Sequence, residues 1–492
     1  MPFLSAFIAG VLSAFGFAPV GWWPFGLIGL AWLIRQIVQR PGWRRGAAIG
    51  WWFGLGQFTV GLNWIATAFT FQAAMPAWLG WIAVVLLSLY LAVFPALAAG
   101  FASALGGGDR LRTSLLLAGT WAIAEWARGF LFTGFPWNPI GVLWLDLPVA
   151  QAARLIGTFG LSALFVLTAG ALGMFVRGNG RGVALTLALP VTAAVYGLAT
   201  AGAPPPTPTR ITVVQPDIGQ DKRWSEAAES EREARMAYLS QRTANGPRLL
   251  LWPESGVTAY LEDEPAARAR LALLLKPGDL LLTGGIGLVR DKTGDVTAAR
   301  NSLFVLGPDG RLLSRYDKAH LVPYGEYLPM RPFLSALGLS RLAPGDFDFL
   351  PGPGPRSLAL PGFGTVGVQI CYEIVFSGHV VDRAGRPRFI FNPSNDAWFG
   401  RWGPPQHLAQ ARLRAIEEGL PVVRATPTGI SAVIAADGRL EASLGWHAAG
   451  RIDAPLPAPL PPTLFARAGN VLPLLLALLL VAAGFAVRRE ER

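Results

Sequence analysis

The stretch Val366-Gly-Val-Gln-Ile-Cys371-Tyr-Glu-Ile374 decides how this chain is read. It holds Cys371, the single cysteine in 492 residues. The apolar run before it has the length and composition of a buried strand, and Tyr372-Glu373 open a helix. A side chain at a strand-to-helix corner is held rigidly and points off the sheet edge, as a nucleophile must. Free cysteine is also among the most buried residue types, so position alone leaves a small core hydrophobe equally open. A catalytic reading needs partners elsewhere in the chain.

Working outward, the neighbouring apolar runs are short. Ile211–Gln215, Leu249–Trp252, Leu280–Gly284, Ser302–Leu306, Thr365–Cys371, Phe389–Asn392 and Ile430–Ala435 read as strands. Helical stretches at Ser225–Thr243, Glu264–Leu275 and Pro405–Gly419 alternate with them, as in an α/β sheet with helices on its faces. Two stiff proline-rich linkers, 203–208 and 455–462, bracket this region. Three divisions are therefore expected: a membrane part over 1–202, an extracytoplasmic α/β domain over 203–467, and a closing helix with a tail over 468–492.

Composition supports the membrane part. Hydrophobic residues make up 52% of the chain and charged residues 15%, with a mean hydropathy of +0.40. Residues 1–202 contain only three acids, Asp109, Glu125 and Asp146, against ten arginines. A bilayer core takes about 20 apolar residues per helix. Seven spans are predicted near 2–18, 21–39, 47–69, 78–105, 113–131, 153–176 and 182–201, with an eighth near 469–487. The first has no basic leader and no cleavage signal, so it is expected to be retained. Arginines at 35, 40, 44, 45, 110, 112, 177, 181, 488, 489 and 492 fall in alternate loops and in the tail. By the positive-inside rule the N-terminus is cytoplasmic and 203–467 lies outside, in the periplasm of a Gram-negative cell. The net charge of +11 is thus mostly a topology signal; no basic stripe or motif points to nucleic acid. Glu125 and Arg128, spaced i,i+3 within a span, are expected to pair on one face, chiefly as a structural feature.

One cysteine excludes an internal disulfide framework. The four histidines (His320, His379, His407, His447) show no ligand spacing, so no metal is expected. Three motifs supply partners for Cys371. Leu249-Leu-Leu-Trp-Pro-Glu254-Ser255 delivers a carboxylate at a strand's C-terminal end. Tyr316-Asp-Lys318-Ala-His-Leu-Val-Pro-Tyr-Gly-Glu326 carries one of only four lysines. Asn392-Pro-Ser-Asn395-Asp-Ala-Trp398-Phe-Gly400 is a turn-rich loop expected to shape a pocket. Together they suit acyl transfer: Glu254 as general base, Cys371 as nucleophile, Lys318 facing the oxyanion, and Glu326 orienting either Lys318 or the second nucleophile. On that reading the thiol is activated and should alkylate quickly near neutral pH.

These residues resemble the carbon–nitrogen hydrolase (nitrilase) superfamily, whose Glu, Lys and Cys stand on an αββα sandwich. The whole architecture is similar to that of the apolipoprotein N-acyltransferases, through Trp-Pro-Glu254-Ser, Lys318-x-His-Leu-Val-Pro-Tyr-Gly-Glu326-Tyr, Cys371-Tyr-Glu373, Ser394-Asn-Asp-Ala-Trp-Phe-Gly400 and Glu125-Trp-x-Arg128-Gly. The resemblance implies Glu254, Lys318 and Cys371 as the catalytic set, Glu326, Glu373 and Tyr372 as supporting residues, and Trp224 and Asn301 in the substrate pocket. It implies a ping-pong reaction without a cofactor. A phospholipid, usually phosphatidylethanolamine, acylates Cys371, and the diacylglyceryl-cysteine amine of a lipoprotein takes the acyl group. It places the protein in the bacterial inner membrane. The apolar connection 323–364 then suits a lid over the acyl chains. The residues alone also leave open a tethered amidase acting on a small amide, and a transporter or scaffold carrying an inactive domain.

Overall fold

The structure, a computed structural model, describes residues 2–71, 76–200, 202–219, 226–336, 342 and 348–487. Its first part is helical: α1 (Pro2–Ala14), α2 (Trp23–Gln39), α3 (Trp43–Gly61), α4 (Ile65–Ala68), α5 (Leu79–Leu91), α6 (Val93–Gly106), α7 (Arg110–Arg128), α8 (Ala153–Phe175) and α9 (Gly180–Thr200). Apolar side chains such as Ile8, Leu86, Phe101, Leu198 and Leu479 stay exposed on these helices and on α15 (Val471–Ala486), as a lipid-facing belt requires. Among the described residues, three helical stretches are long and apolar enough to cross a membrane: Leu79–Gly106, Pro148–Phe175 and Gly180–Thr200. Helices α1 and α15 are apolar but shorter. The predicted span 78–105 bends at Ala92 into α5 and α6.

Helix α8 contains a break that matters for the site. Gly157 adopts φ +60, a left-handed conformation that glycine tolerates, and a Cβ there would meet the Phe465 ring at 2.2 Å. The break frees the Thr158 N–H, which donates to Glu417 Oε1 at 2.7 Å.

The α/β part consists of two six-stranded sheets. The first contains β1 (Arg210–Gln215), β2 (Arg248–Leu251), β3 (Leu280–Arg290), β4 (Val296–Leu306), β5 (Leu312–Asp317) and β12 (Gly450–Pro455), in the order β12-β1-β2-β3-β4-β5. The second contains β6 (Ser357–Leu360), β7 (Gly364–Val368), β8 (Phe389–Pro393), β9 (Val422–Ala425), β10 (Ser431–Ile434) and β11 (Leu440–Leu444), in the order β11-β10-β9-β8-β7-β6. Each has a parallel centre, β1-β2-β3 and β7-β8-β9, with antiparallel flanks.

One core joins the sheets: Ile211, Val213, Leu249 and Leu251 of the first lie with Val366, Phe389, Phe391 and Val423 of the second. Helices α10 (Glu226–Leu239) and α11 (Pro265–Ala272) cover the outer face of the first sheet. Helix α13 (Gly403–Glu418) covers the second, and the result is the expected αββα sandwich. Short helices α12 (Arg331–Ala336) and α14 (Leu464–Ala468) lie in the connections. In the connection 323–364, Leu328 and Leu334 are buried while Met330 and Phe333 are exposed; Phe347 lies outside the described residues.

Helix α13 has two apolar faces. Ala411 and Ala415 pack on the sheet core, while Ala409, Leu413 and Ile416 pack on the helical bundle. Spacings of three and four put each set on one side of a helix. Helix α13 thus joins the bundle and the sandwich, together with Phe58, Trp64, Phe94 and Trp137 of the helical part, which pack in the sheet core.

Candidate active site

The candidate residues meet where strands end. Glu254 stands three residues past β2, Asn301 lies within β4, Lys318 directly follows β5, and Cys371 lies three residues past β7. Parallel strands with a common direction bring their C-terminal ends to one edge, which is where open α/β sheets build sites.

Lys318 is the centre of the polar cluster, with only 1% of its surface exposed. Its Nζ lies 3.0 Å from Glu326 Oε2 and 3.6 Å from Glu254 Oε1. Asn301 Nδ2 donates to Glu254 Oε1 and to Glu326 Oε1, both at 2.7 Å. The second Glu326 oxygen also accepts from the Val322 N–H at 2.8 Å. Burial by itself would push the ammonium down; Glu326 and then Glu254 outweigh it and hold Lys318 above the ordinary lysine range. The lysine is therefore a fixed cation.

Cys371 is 5% exposed and sits at φ +51, in the left-handed region. It opens a short 3-10 turn, Cys371–Val375, in place of an α-helix. The Asn395 N–H is directed at its sulfur. Burial, and then the Glu254 charge, raise the thiol well above its ordinary range, and Lys318 offsets only part of this. This runs against the expectation of a thiol that alkylates quickly near neutral pH, and agrees with Glu254 as the base that removes the proton.

Glu373 braces the corner. Its Oε1 accepts from Tyr316 Oη at 2.9 Å and from the Ala319 and His320 N–H groups at 2.7 and 3.1 Å; its Oε2 accepts from the Ile370 N–H at 2.7 Å. Burial raises its carboxyl to about 7 against the opposing pull of Lys318 and these donors. One carboxylate thereby ties the segment after Lys318 to the residue before Cys371. Tyr372 is buried beside the thiol and donates its hydroxyl to the Gly134 carbonyl at 3.1 Å. Trp224 lies outside the described residues.

Sequence reasoning missed the contribution of the loop after α7. Trp137 stacks on Tyr372, with ring centroids 6.4 Å apart and an interplanar angle of 15°. His320 Nε2 lies 3.2 Å from the Thr133 carbonyl. Proline, glycine and aromatics in Gly134–Pro139 read locally as a tight turn, and nothing local shows what the turn packs against. Glu125 and Arg128 lie near enough for their charges to interact, as expected, but their hydrogen bonds go to other partners. Glu125 Oε1 accepts from Trp121 Nε1 and the Ile140 N–H at 3.0 and 2.8 Å, and Arg128 Nη1 donates to the Trp137 carbonyl at 2.9 Å. Both residues hold this loop in place.

Cys371 Sγ, an Asp396 oxygen and a His407 nitrogen lie within 4.8 Å of one another. These are potential metal ligands, but the guanidinium of Arg424 already donates to Asp396 Oδ2 at 2.5 Å. A fixed cation in contact with the carboxylate works against a second one, and the donor set does not fit a metal.

A buried cysteine, a base-type carboxylate and a fixed cation make an acyl-transferring cysteine enzyme on a carbon–nitrogen hydrolase fold, joined to an apolar helical bundle. Comparison with known proteins carries this further. Residues 210–459 match the carbon-nitrogen hydrolase family, and residues 9–171 match the apolipoprotein N-acyltransferase N-terminal domain. An apolipoprotein N-acyltransferase of Rhodopseudomonas palustris is 39% identical over 95% of this chain and 91% of its own length. One from Bradyrhizobium diazoefficiens is 40% identical over 99% and 95%. Among solved structures, a carbon-nitrogen hydrolase of Helicobacter pylori aligns with a TM-score of 0.38 at 16% identity, covering 50% of this chain and 88% of that one. The chain belongs to the apolipoprotein N-acyltransferase family.

Proposed function

We propose that this membrane-bound enzyme moves a fatty acyl group from phosphatidylethanolamine to the N-terminal α-amine of a lipoprotein's diacylglyceryl-cysteine, through a thioester on Cys371. The observation that carries this reading is Lys318, buried between Glu254 and Glu326 at the edge where Cys371 opens its turn. Glu254 takes the thiol proton as Sγ bonds to the ester carbonyl carbon. Lys318 faces the oxyanion that forms. The C–O bond then breaks, and Glu254 returns the proton to the departing lysophospholipid hydroxyl. In the second half the amine attacks the thioester, Glu254 takes its proton, the C–S bond breaks and the thiol is restored.

Glu326 and Asn301 orient Lys318 and Glu254 in this scheme, Glu373 and Tyr372 set the corner, and Trp224 lines the pocket. The raised thiol agrees with a base that acts during attack. Phe130, Leu131 and Phe132 are exposed, Phe132 at 88%, a few residues before Gly134, whose carbonyl holds Tyr372. An apolar knuckle there gives lipid a route to the thiol. The connection 323–364, with Met330 and Phe333 exposed, serves as the lid. We assign eight spans, a membrane part over 1–202, a periplasmic catalytic domain over 203–467, a closing span and tail over 468–492, a cytoplasmic N-terminus and an inner-membrane location. Tethering at both ends confines the domain to the plane that holds both substrates.

Intact mass spectrometry after incubation with phosphatidylethanolamine alone tests the first half. A single fatty-acyl adduct, labile to hydroxylamine and absent from Cys371→Ala, is expected. No adduct, with Cys371 still accessible to alkylation, would favour a tethered amidase.

A further inference from the structure

The buried groups behind Cys371 form a second device that the triad chemistry does not use. His407, on the first turn of α13, is fully buried. Its Nε2 lies 3.1 Å from the Cys371 carbonyl oxygen. A carbonyl only accepts, so Nε2 carries a hydrogen and donates it. Nδ1 lies 2.9 Å from both Asp396 Oδ1 and Arg424 Nη2. Accepting from the guanidinium leaves a neutral ring, and donating to the carboxylate makes an imidazolium. The Nε2–H bond to Cys371 is kept either way. Burial, and then the Arg424 charge, hold His407 below the ordinary histidine range, which selects the neutral ring. Arg424 is itself held by Asp396 Oδ2, Ser394 Oγ and Asn392 Oδ1.

This bond falls on a strained residue. A non-glycine residue at positive φ is strained and persists only where its surroundings over-determine it. The Cys371 carbonyl has two such restraints, His407 Nε2 and, at 3.3 Å, Asn392 Nδ2. The preceding residue on α13, Gln406, ties the same turn to the bundle. Its Nε2 donates to the Ala18 and Gly61 carbonyls at 3.0 and 3.1 Å, and its Oε1 accepts from Trp64 and Trp137 Nε1 at 3.1 and 2.8 Å. All four hydrogen-bonding positions of that amide are filled by groups from the first 137 residues. Adjacent residues of one helical turn thus grip the bundle and the nucleophile.

We propose that His407 is a positioning residue for thioester formation: its Nε2–H, oriented by Arg424, which Asp396 holds in place, on a helix that Gln406 anchors to the helical bundle, holds the Cys371 carbonyl and so aims the thiol. The proposal rests on Cys371 being the nucleophile.

The test follows thioester formation by intact mass in the full-length protein, in micelles with increasing phosphatidylethanolamine. His407→Gln keeps an N–H donor at nearly the reach of Nε2; His407→Asn is one methylene shorter and does not reach; His407→Leu has no donor. We expect His407→Gln to stay close to the parent, while His407→Asn and His407→Leu lose about 10- to 100-fold in the maximal acylation rate. The half-saturating lipid fraction should hardly move, because the residue does not touch substrate. A parental maximal rate in His407→Asn, or an equal loss in His407→Gln and His407→Asn, overturns the proposal. Should His407→Leu lose its cooperative thermal transition, the two amide variants decide, since they differ by one methylene. Cys371→Ala runs alongside: an adduct there would remove the nucleophile assignment itself, whatever the His407 variants do.

Discussion

Asn301 and Glu254 are joined at 2.7 Å, and the same Asn301 nitrogen donates at 2.7 Å to Glu326. One amide thus holds two carboxylates apart on either side of Lys318. Without it, only the ammonium separates them, and the Glu254 carboxylate loses its fixed direction. Asn301→Ala is expected to slow acylation of Cys371 by about 10- to 100-fold, since small misplacements of a catalytic group carry costs of that size. Time-resolved mass spectrometry of the adduct checks this; an unchanged rate would leave Asn301 a bystander.

Lys318 is expected to matter for both chemistry and folding. Lys318→Met removes the cation facing the oxyanion and should reduce thioester formation by about 100- to 1000-fold, the scale seen for lost oxyanion donors. It also leaves two buried carboxylates facing each other. Breaking a buried pair costs about 3–5 kcal/mol unless one group neutralises. Two like charges left facing each other without a cation repel, and the repulsion is strongest at higher pH, where carboxylates are ionised. Thermal unfolding of Lys318→Met should lie further below the parent at pH 8 than at pH 5. An equal deficit at both would contradict the charge argument.

The thiol of Cys371 should behave as a buried, protonated group. Its pKa is raised, so at any given pH less thiolate is present than in a free cysteine. Alkylation by iodoacetamide at neutral pH should be slower than that of a small thiol, and the rate should still be rising at about pH 9, beyond the ordinary thiol pKa of about 8.5. A fast, flat profile from neutral pH upward would show a resting thiolate.

Gln406 offers a test of the joint between bundle and sandwich. Gln406→Leu leaves the Trp64 and Trp137 N–H groups without their acceptor and the Ala18 and Gly61 carbonyls without their donor. A buried polar group left unpaired costs about 1–3 kcal/mol. The variant should unfold at a distinctly lower temperature in detergent, with bundle and sandwich melting separately in place of one transition. Unchanged melting would mean that apolar packing, of Ala409, Leu413 and Ile416 on the bundle and of Phe58, Phe94 and Trp137 on the sheet core, holds the parts together without this amide.

What the sequence determined by itself was local. Strands whose side chains are buried on both faces read as unbroken apolar runs, so β1, β2, β7, β8 and β10 were visible along with the residues at their ends. Glu254, Lys318 and Cys371 stood out because each directly follows such a run or sits in a motif that resembles a known family. Strands β5, β6, β11 and β12 were not legible, because their partly exposed faces carry Ser, Glu, Arg and Asp within short runs. Strand β9, though wholly buried, lies among prolines that read as loop.

Packing between distant segments set the rest. The sign of the Cys371 shift depends on how deeply the assembled fold buries it, and burial is a sum over distant segments. The partners of Gln406 and His407 come from positions 18, 61, 64, 137, 371, 396 and 424, separations at which spacing carries no signal. Glu125 and Arg128 could pair by helical geometry, yet the folded loop after α7 offers each a better-placed hydrogen-bond partner. A sequence names the groups available to each turn and strand. Which of them meet is set by the packing that excludes water from all of them together.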